Sequence, residues 1–150
     1  FAKRNNAVAS TDVKSFEHLV CTEQLSRRLG FKVGEELIRV VRVRSLNGSA
    51  RQVDHGYFLE SIAKGLTPEI AARSIYDYLE HKRGVKVMAS RRTVSVELAN
   101  DEDCSYLDLG KYNCVAVMES QSYTSDGILF EVTHARTHPE IFHYRVNSKR

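Results

Sequence analysis

Arg42 and Arg44 stand two apart in the stretch "RVVRVRSLNG", residues 39–48. In an extended chain, residues two apart point to the same side, so these guanidinium groups would project as a pair from one face. Their planar donors match the oxygens of a phosphate or carboxylate in pairs, where a lysine offers only a point charge. A second group of residues could close such a site. If "SIYDYLEHKRG" begins a helix, Ser74 lies at its N-terminus and Tyr76 in its first turn. Free N–H groups and the helix dipole attract an anion there, and the serine hydroxyl adds a donor. A phosphorylated small molecule is the natural candidate. Each part also has a plainer reading. Paired arginines on a strand are most often solvated, a serine at that place is a helix cap, and Tyr76 and Tyr78 can fill the edge of a core.

The elements that must hold these residues are written in the pattern around them. Residues 12–20 alternate loosely and predict a first strand. "TEQLSRRLG" predicts a short helix with Thr22 as N-cap and Gly30 at its end. A long strand runs from Glu36 to Leu46, Asn47-Gly48 is a strong hairpin signal, and "ARQVDHGYFLE" returns as the partner. Register matters here. A strict two-residue hairpin pairs Asp54 with Val41 and turns it away from Arg42, whereas a three-residue loop or a bulge near Ser49 places it opposite Arg42 on the same face.

Residues 67–84 carry helix punctuation at both ends, Thr67-Pro68 and Gly84, and Ser74 could cap a second helix inside that span. "VKVMASRRTVSVELA" alternates as a strand with Val94, Val96 and Leu98 on one side. "NDEDCSYLDLG" predicts a short helix capped by Asn100 and stopped by Gly110. Its acids Asp101, Glu102 and Asp103 lie where carboxylates offset the helix dipole, a commoner reason for them than catalysis. Two further strands flank Ser125-Asp126-Gly127 as a second hairpin, and "IFHYRV" predicts a last one. Strands joined mainly by hairpins, with helices between, imply an α+β fold on one antiparallel sheet.

At 150 residues the chain is most simply one domain with a real core. Its 42% hydrophobic and 27% charged residues are those of an ordinary globular protein. The net charge of +3 is modest and the basic residues are scattered among acids, which disfavours direct nucleic-acid binding. Cys21, Cys104 and Cys114 have no metal-like spacing, and nothing before them resembles a signal peptide. They read as reduced thiols of a cytoplasmic protein. No apolar run approaches the ~20 residues that cross a bilayer, so no membrane partner is expected. The chain opens at Phe1 without a methionine, as a fragment of a longer protein would.

Enzyme signatures are absent: there is no G-x-S-x-G, P-loop, G-x-G-x-x-G or H-E-x-x-H. His134 and His138 would align on a helix, but their segment reads as a strand and its end, with Pro139 next. No metal, cofactor or catalytic residue is expected.

In this order, "RVRSLNG" and "ARQVDHGYF", then "RSIYDYLEHKRGVKV", then "LFEVTHARTHPEIFHY" resembles the UTRA domain. That domain is the ligand-sensing half of GntR-type winged-helix transcription regulators of the HutC kind. The resemblance runs from about Phe1 to Tyr144. It implies a chorismate-lyase-like antiparallel sheet flanked by helices, dimeric, with an effector between sheet and helices. It places an R-x-R pair on Arg42 and Arg44 and an S-x-Y helix start on Ser74 and Tyr76, together a phosphate grip. It places an acid, usually Glu, on Asp54, and a Phe-Glu pair on Phe130 and Glu131. The two acids would accept hydrogen bonds from sugar hydroxyls.

The implied effector is a sugar phosphate. Trehalose 6-phosphate comes ahead of glucosamine 6-phosphate, because "NGSARQVDHGYF" and "NDEDCSYLDLGKYNCVAV" look nearest to members that sense it. Asp54 is one methylene shorter than the usual Glu, Thr137 stands where relatives often place a ring, and Phe1 matches an S-F pair whose Ser this chain lacks. Arg91 and Arg92 have no assigned place. The implied function is the sensor of a homodimeric repressor that meets operator DNA only through a preceding winged-helix domain. A chorismate-lyase-like enzyme and a ligand-free dimerisation domain are the alternatives.

Overall fold

The computed structural model describes residues 8–149. Asn47 and Gly48 adopt left-handed backbone angles, with φ of 50° and 81°. The two-residue turn they form has the twist that its flanking strands need. Those strands are β2, Glu36–Leu46, and β3, Ser49–Leu59. Leu46 pairs with Ser49 and Ser45 with Ala50; Arg51 is then left over as a bulge, so that Gln52 meets Arg44 and Asp54 meets Arg42. The turn is therefore tight, and the bulge lies two residues beyond Ser49. A tertiary contact holds it: the His138 N–H donates to the Arg51 carbonyl at 2.8 Å.

β1, Ala9–Val20, pairs outside β2, and α1, Glu23–Leu29, follows it. The Thr22 hydroxyl accepts from the Leu25 N–H, and Gly30 closes the helix in a left-handed conformation. The segment after β3 divides as the internal serine implies. α2, Pro68–Ala71, is capped by Thr67, and α3, Ile75–Asp77, is capped by Ser74 and runs into a π-helical turn at Tyr78–Lys82. β4, Val87–Leu98, then crosses to the far edge.

α4, Asp101–Tyr106, has a reciprocal cap in which Asn100 and Asp103 each accept from the other's backbone N–H. It stops at Tyr106, short of Gly110, which lies in the turn before β5. β5, Cys114–Thr124, and β6, Leu129–Thr137, form the second hairpin. No final strand follows among the described residues. Pro139–Ile141 is a 3-10 turn and residues 142–149 have no regular structure. β6 is already flanked by β3 and β5, so "IFHYRV" has no adjoining edge to pair with.

The result is one six-stranded antiparallel sheet, ordered β1-β2-β3-β6-β5-β4, with short helices, an α+β fold. Alternation gives each strand two faces. On the first, Ile38, Val40 and Phe58 pack with Ile75 and Leu79; on the second, Val41, Val43 and Val53 pack under Leu107 and Leu109 beside α4. β4 is exposed along its whole length, and Val96 and Leu98 keep 73% and 75% of their surface in solvent. Among the described residues, no helix is long and apolar enough to cross a membrane.

Candidate ligand-binding site

On the first face lies a cavity of about 290 Å³ to which Arg42, Arg44, Asp54, Ser74, Tyr76 and Glu131 all contribute. The sheet supplies its floor, and the start of α3 supplies the opposite wall. Six positions spread over 90 residues of sequence thus meet, because Arg42 and Arg44 share a face of β2, the Arg51 bulge turns Asp54 toward them, and β6 lies beside β3.

Arg42 is already engaged. One terminal nitrogen donates to Asp54 and the other to the Ala71 carbonyl at 3.3 Å, tying β2 to β3 and to the end of α2. Both partners of the ion pair are buried. Such a pair stabilises little relative to apolar residues, but losing one partner strands the other's charge. Arg44 lies one same-face step along β2. Burial, and then the neighbouring Arg42 charge, push its pKa down. An anion arriving beside Arg44 would relieve both.

Ser74 caps α3, its hydroxyl accepting from the Asp77 N–H at 3.2 Å. Ile75 anchors the turn in the core, which points Tyr76 toward the cavity. The N–H groups of this first turn have no acceptor within the helix. The Tyr76 hydroxyl donates to Glu131 Oε1 at 2.7 Å.

Glu131 retains only 2% of its surface. Burial raises its pKa to about 7, with the Asp54 charge adding to the rise; the Tyr76 hydrogen bond and the charges of Arg42 and Arg92 oppose it. Burial and the same carboxylate raise the Tyr76 phenol. The cavity therefore joins a guanidinium end suited to phosphate with carboxylates that accept from hydroxyls or ammonium groups.

Arg92 also lines this cavity, reaching it from β4, and Gln52, Ser120 and Ser122 add polar groups. The alternation of Ser120 and Ser122 in "ESQSYT" was a usable signal for the serines. Arg92 had none, because its place depends on β4 crossing to the far edge. Thr137 is buried and accepts from the Gln52 amide at 2.9 Å. Phe130 belongs to the core. Phe1 lies outside the described residues.

A family model described as the UTRA domain matches residues 4–143. The chain belongs to the UTRA domain family. The HTH-type transcriptional regulator TreR of Bacillus subtilis (strain 168) is 28% identical over 123 residues, 82% of this chain and 52% of that protein. The HTH-type transcriptional repressor NagR of the same strain is 23% identical over 116 residues, 77% of this chain and 47% of that protein. This UTRA domain thus spans about half the length of those relatives.

The solved effector-binding domain of the B. subtilis trehalose repressor (TreR) has a TM-score of 0.86 at 27% identity, covering 94% of this chain and 98% of that one. A GntR-family regulator from Bacillus cereus has the same fold, with a TM-score of 0.81 at 23% identity, covering 94% and 99%. The chain corresponds to the effector-binding part of HutC-like GntR-family regulators, and its sheet is the chorismate-lyase-like one expected of them.

Proposed function

We propose that this UTRA domain is a cytoplasmic sugar-phosphate sensor and not an enzyme. The observation that carries the reading is the convergence of Arg42, Arg44, Ser74, Tyr76, Asp54 and Glu131 on one cavity. In this reading the phosphate lies between Arg44 and the Ser74 turn, with Arg42 behind it. Sugar hydroxyls donate to Asp54 and Glu131, and Arg92 closes the β4 side. Similarity to TreR favours trehalose 6-phosphate; the two carboxylates would also accept the ammonium of glucosamine 6-phosphate, the second reading.

In a complete regulator, a preceding winged-helix domain would bind operator DNA as a dimer. A ligand that favours one domain arrangement shifts the equilibrium and lowers operator affinity by the same coupling factor. The exposed apolar side chains of β4 support self-association. Antiparallel pairing of two β4 edges about Val94 would set Arg91 against Glu97 twice, a complementary arrangement.

The test is calorimetric titration with trehalose 6-phosphate, glucosamine 6-phosphate and free trehalose. Saturable binding of the first alone is the expected result. Preference for the second changes the effector, and no binding by either phosphate overturns the sensor. Sedimentation of the domain tests the dimer, with a monomer at all concentrations as the contrary result.

A further inference from the structure

The second face carries a cavity of its own, of about 510 Å³, bounded by α1 at one end and reached from α4 at the other. Five strands serve both cavities by alternation, β2 giving Arg42 and Arg44 to the first and Arg39 to the second. Asp54 faces the first and His55 the second; Ala135 and His134, Ser120 and Glu119, and Arg92 and Thr93 divide in the same way.

Its floor and wall hold polar groups whose bonding is incomplete. His55 and His134 are cross-strand neighbours, and Glu119 stands opposite His134 on β5. His134 Nε2 is buried and has no hydrogen-bond partner among the described residues, with Glu119 at 3.7 Å. Burial lowers the His134 pKa, so the ring is neutral near neutrality. Above it Arg28 and Arg39 both donate to the Tyr57 hydroxyl, at 3.0 and 3.2 Å, and each lies 5.9 Å from the ring centroid. Arg39 also pairs with Glu17. Arg28 has no carboxylate partner among the described residues.

Arg136 in the same cavity shows what a purely structural arginine looks like here. Asp103 accepts from its Nε and Nη2 and Glu97 from its Nη1, which fastens α4 to the sheet. Arg28 and Arg39 also tie α1 and β2 to Tyr57, but among the described residues neither lies between two carboxylates as Arg136 does. Buried polar atoms ordinarily find partners.

We propose that this second cavity binds a small hydroxylated anion, its charge held by Arg28 and Arg39 and its hydroxyls by His134, Glu119 and Thr93. A sugar phosphate and a hydroxy acid share this chemistry. The shared strands make the two sites neighbours through the sheet.

The test is a titration of the isotope-labelled domain with inorganic phosphate, then with citrate, at ionic strength held constant with chloride, followed by nuclear magnetic resonance. Saturable shifts of the His55 and His134 ring signals are expected with at least one of the anions. They should persist in Arg44→Ala, which silences the first cavity, and weaken at least tenfold in Arg28→Ala, an exposed helix position. Ser74→Ala replaces Arg44→Ala if the latter does not fold. Histidine signals that stay still with both anions, that follow chloride equally, that move undiminished in Arg28→Ala or that vanish on silencing the first cavity overturn the proposal. Failure of the sugar-phosphate sensor is read separately, at Arg44 and Ser74.

Discussion

On the Arg42 face, charge is buried in closed pairs: Arg42 with Asp54, and Glu131 with the Tyr76 hydroxyl. On the His134 face, one arginine is closed off in the same manner, while among the described residues Arg28 has no carboxylate partner and His134 Nε2, 3.7 Å from Glu119, makes no hydrogen bond. The difference teaches how one sheet can be stiff and receptive at once. Closed pairs fix the geometry of a site in advance, which lowers the ordering cost of binding. Groups left half-satisfied supply the attraction.

Breaking a closed pair should have the largest effect. Asp54→Ala leaves Arg42 buried without its partner, and the expected loss is ~3–5 kcal/mol in chemical denaturation. A loss below ~1 kcal/mol would mean that the guanidinium escapes to solvent and that the pair is not closed.

The two faces should also respond to pH with opposite sign. Glu131 has a folded pKa of about 7 against an ordinary 4.5, so between those values the folded state holds a proton that the unfolded state has lost. Stability therefore falls as pH rises through this window, by up to ~3 kcal/mol at ~1.4 kcal/mol per unit, and is level above it. Glu131→Gln should flatten that stretch. His134 acts in reverse, because its folded pKa is depressed below 6.5 and the unfolded ring takes the proton first as pH falls. Its contribution is present above that value and is lost on acidification, an effect that His134→Gln should remove while sparing the Glu131 window.

Arg44→Ala sharpens the division between fixing and receiving. Trehalose 6-phosphate affinity should fall about 10–100-fold, as expected for loss of charge-assisted hydrogen bonds. Stability should change by less than ~0.5 kcal/mol, because burial beside Arg42 already disfavours the Arg44 charge. Calorimetry paired with thermal melting checks both. Glu102→Ala should have a small effect, on stability alone. The His55–Glu102 pair is partly solvated, so its loss should register at or below ~1 kcal/mol in the same melts.

Local chemistry made much of this molecule legible. The Asn47-Gly48 turn, the Thr22, Ser74 and Asn100 caps, and the shared face of Arg42 and Arg44 each depend on a few adjacent residues. What escaped depends on distant partners. Asp103 looks like a dipole acid by position, yet it is fully buried because Arg136 on β6 reaches it. "IFHYRV" has a strand's alternation, but both edges of β6 are occupied. The apolar side of β4 alternates as a core strand would, yet it lies in solvent. Arg28, His55 and His134 come from a helix and two strands and share no spacing that a linear reading could detect.

Arg51 sets the parity of β3. Because its bulge restores the pairing of Asp54 with Arg42, it acts on the sheet much as a frameshift acts on a gene. Removing the bulged residue would leave a regular ladder with the same pairs, whereas flattening the bulge with every residue kept would set Val53 against Arg42 and Asp54 against Val41. One supernumerary residue beside a turn therefore decides whether a carboxylate or a valine meets the buried guanidinium.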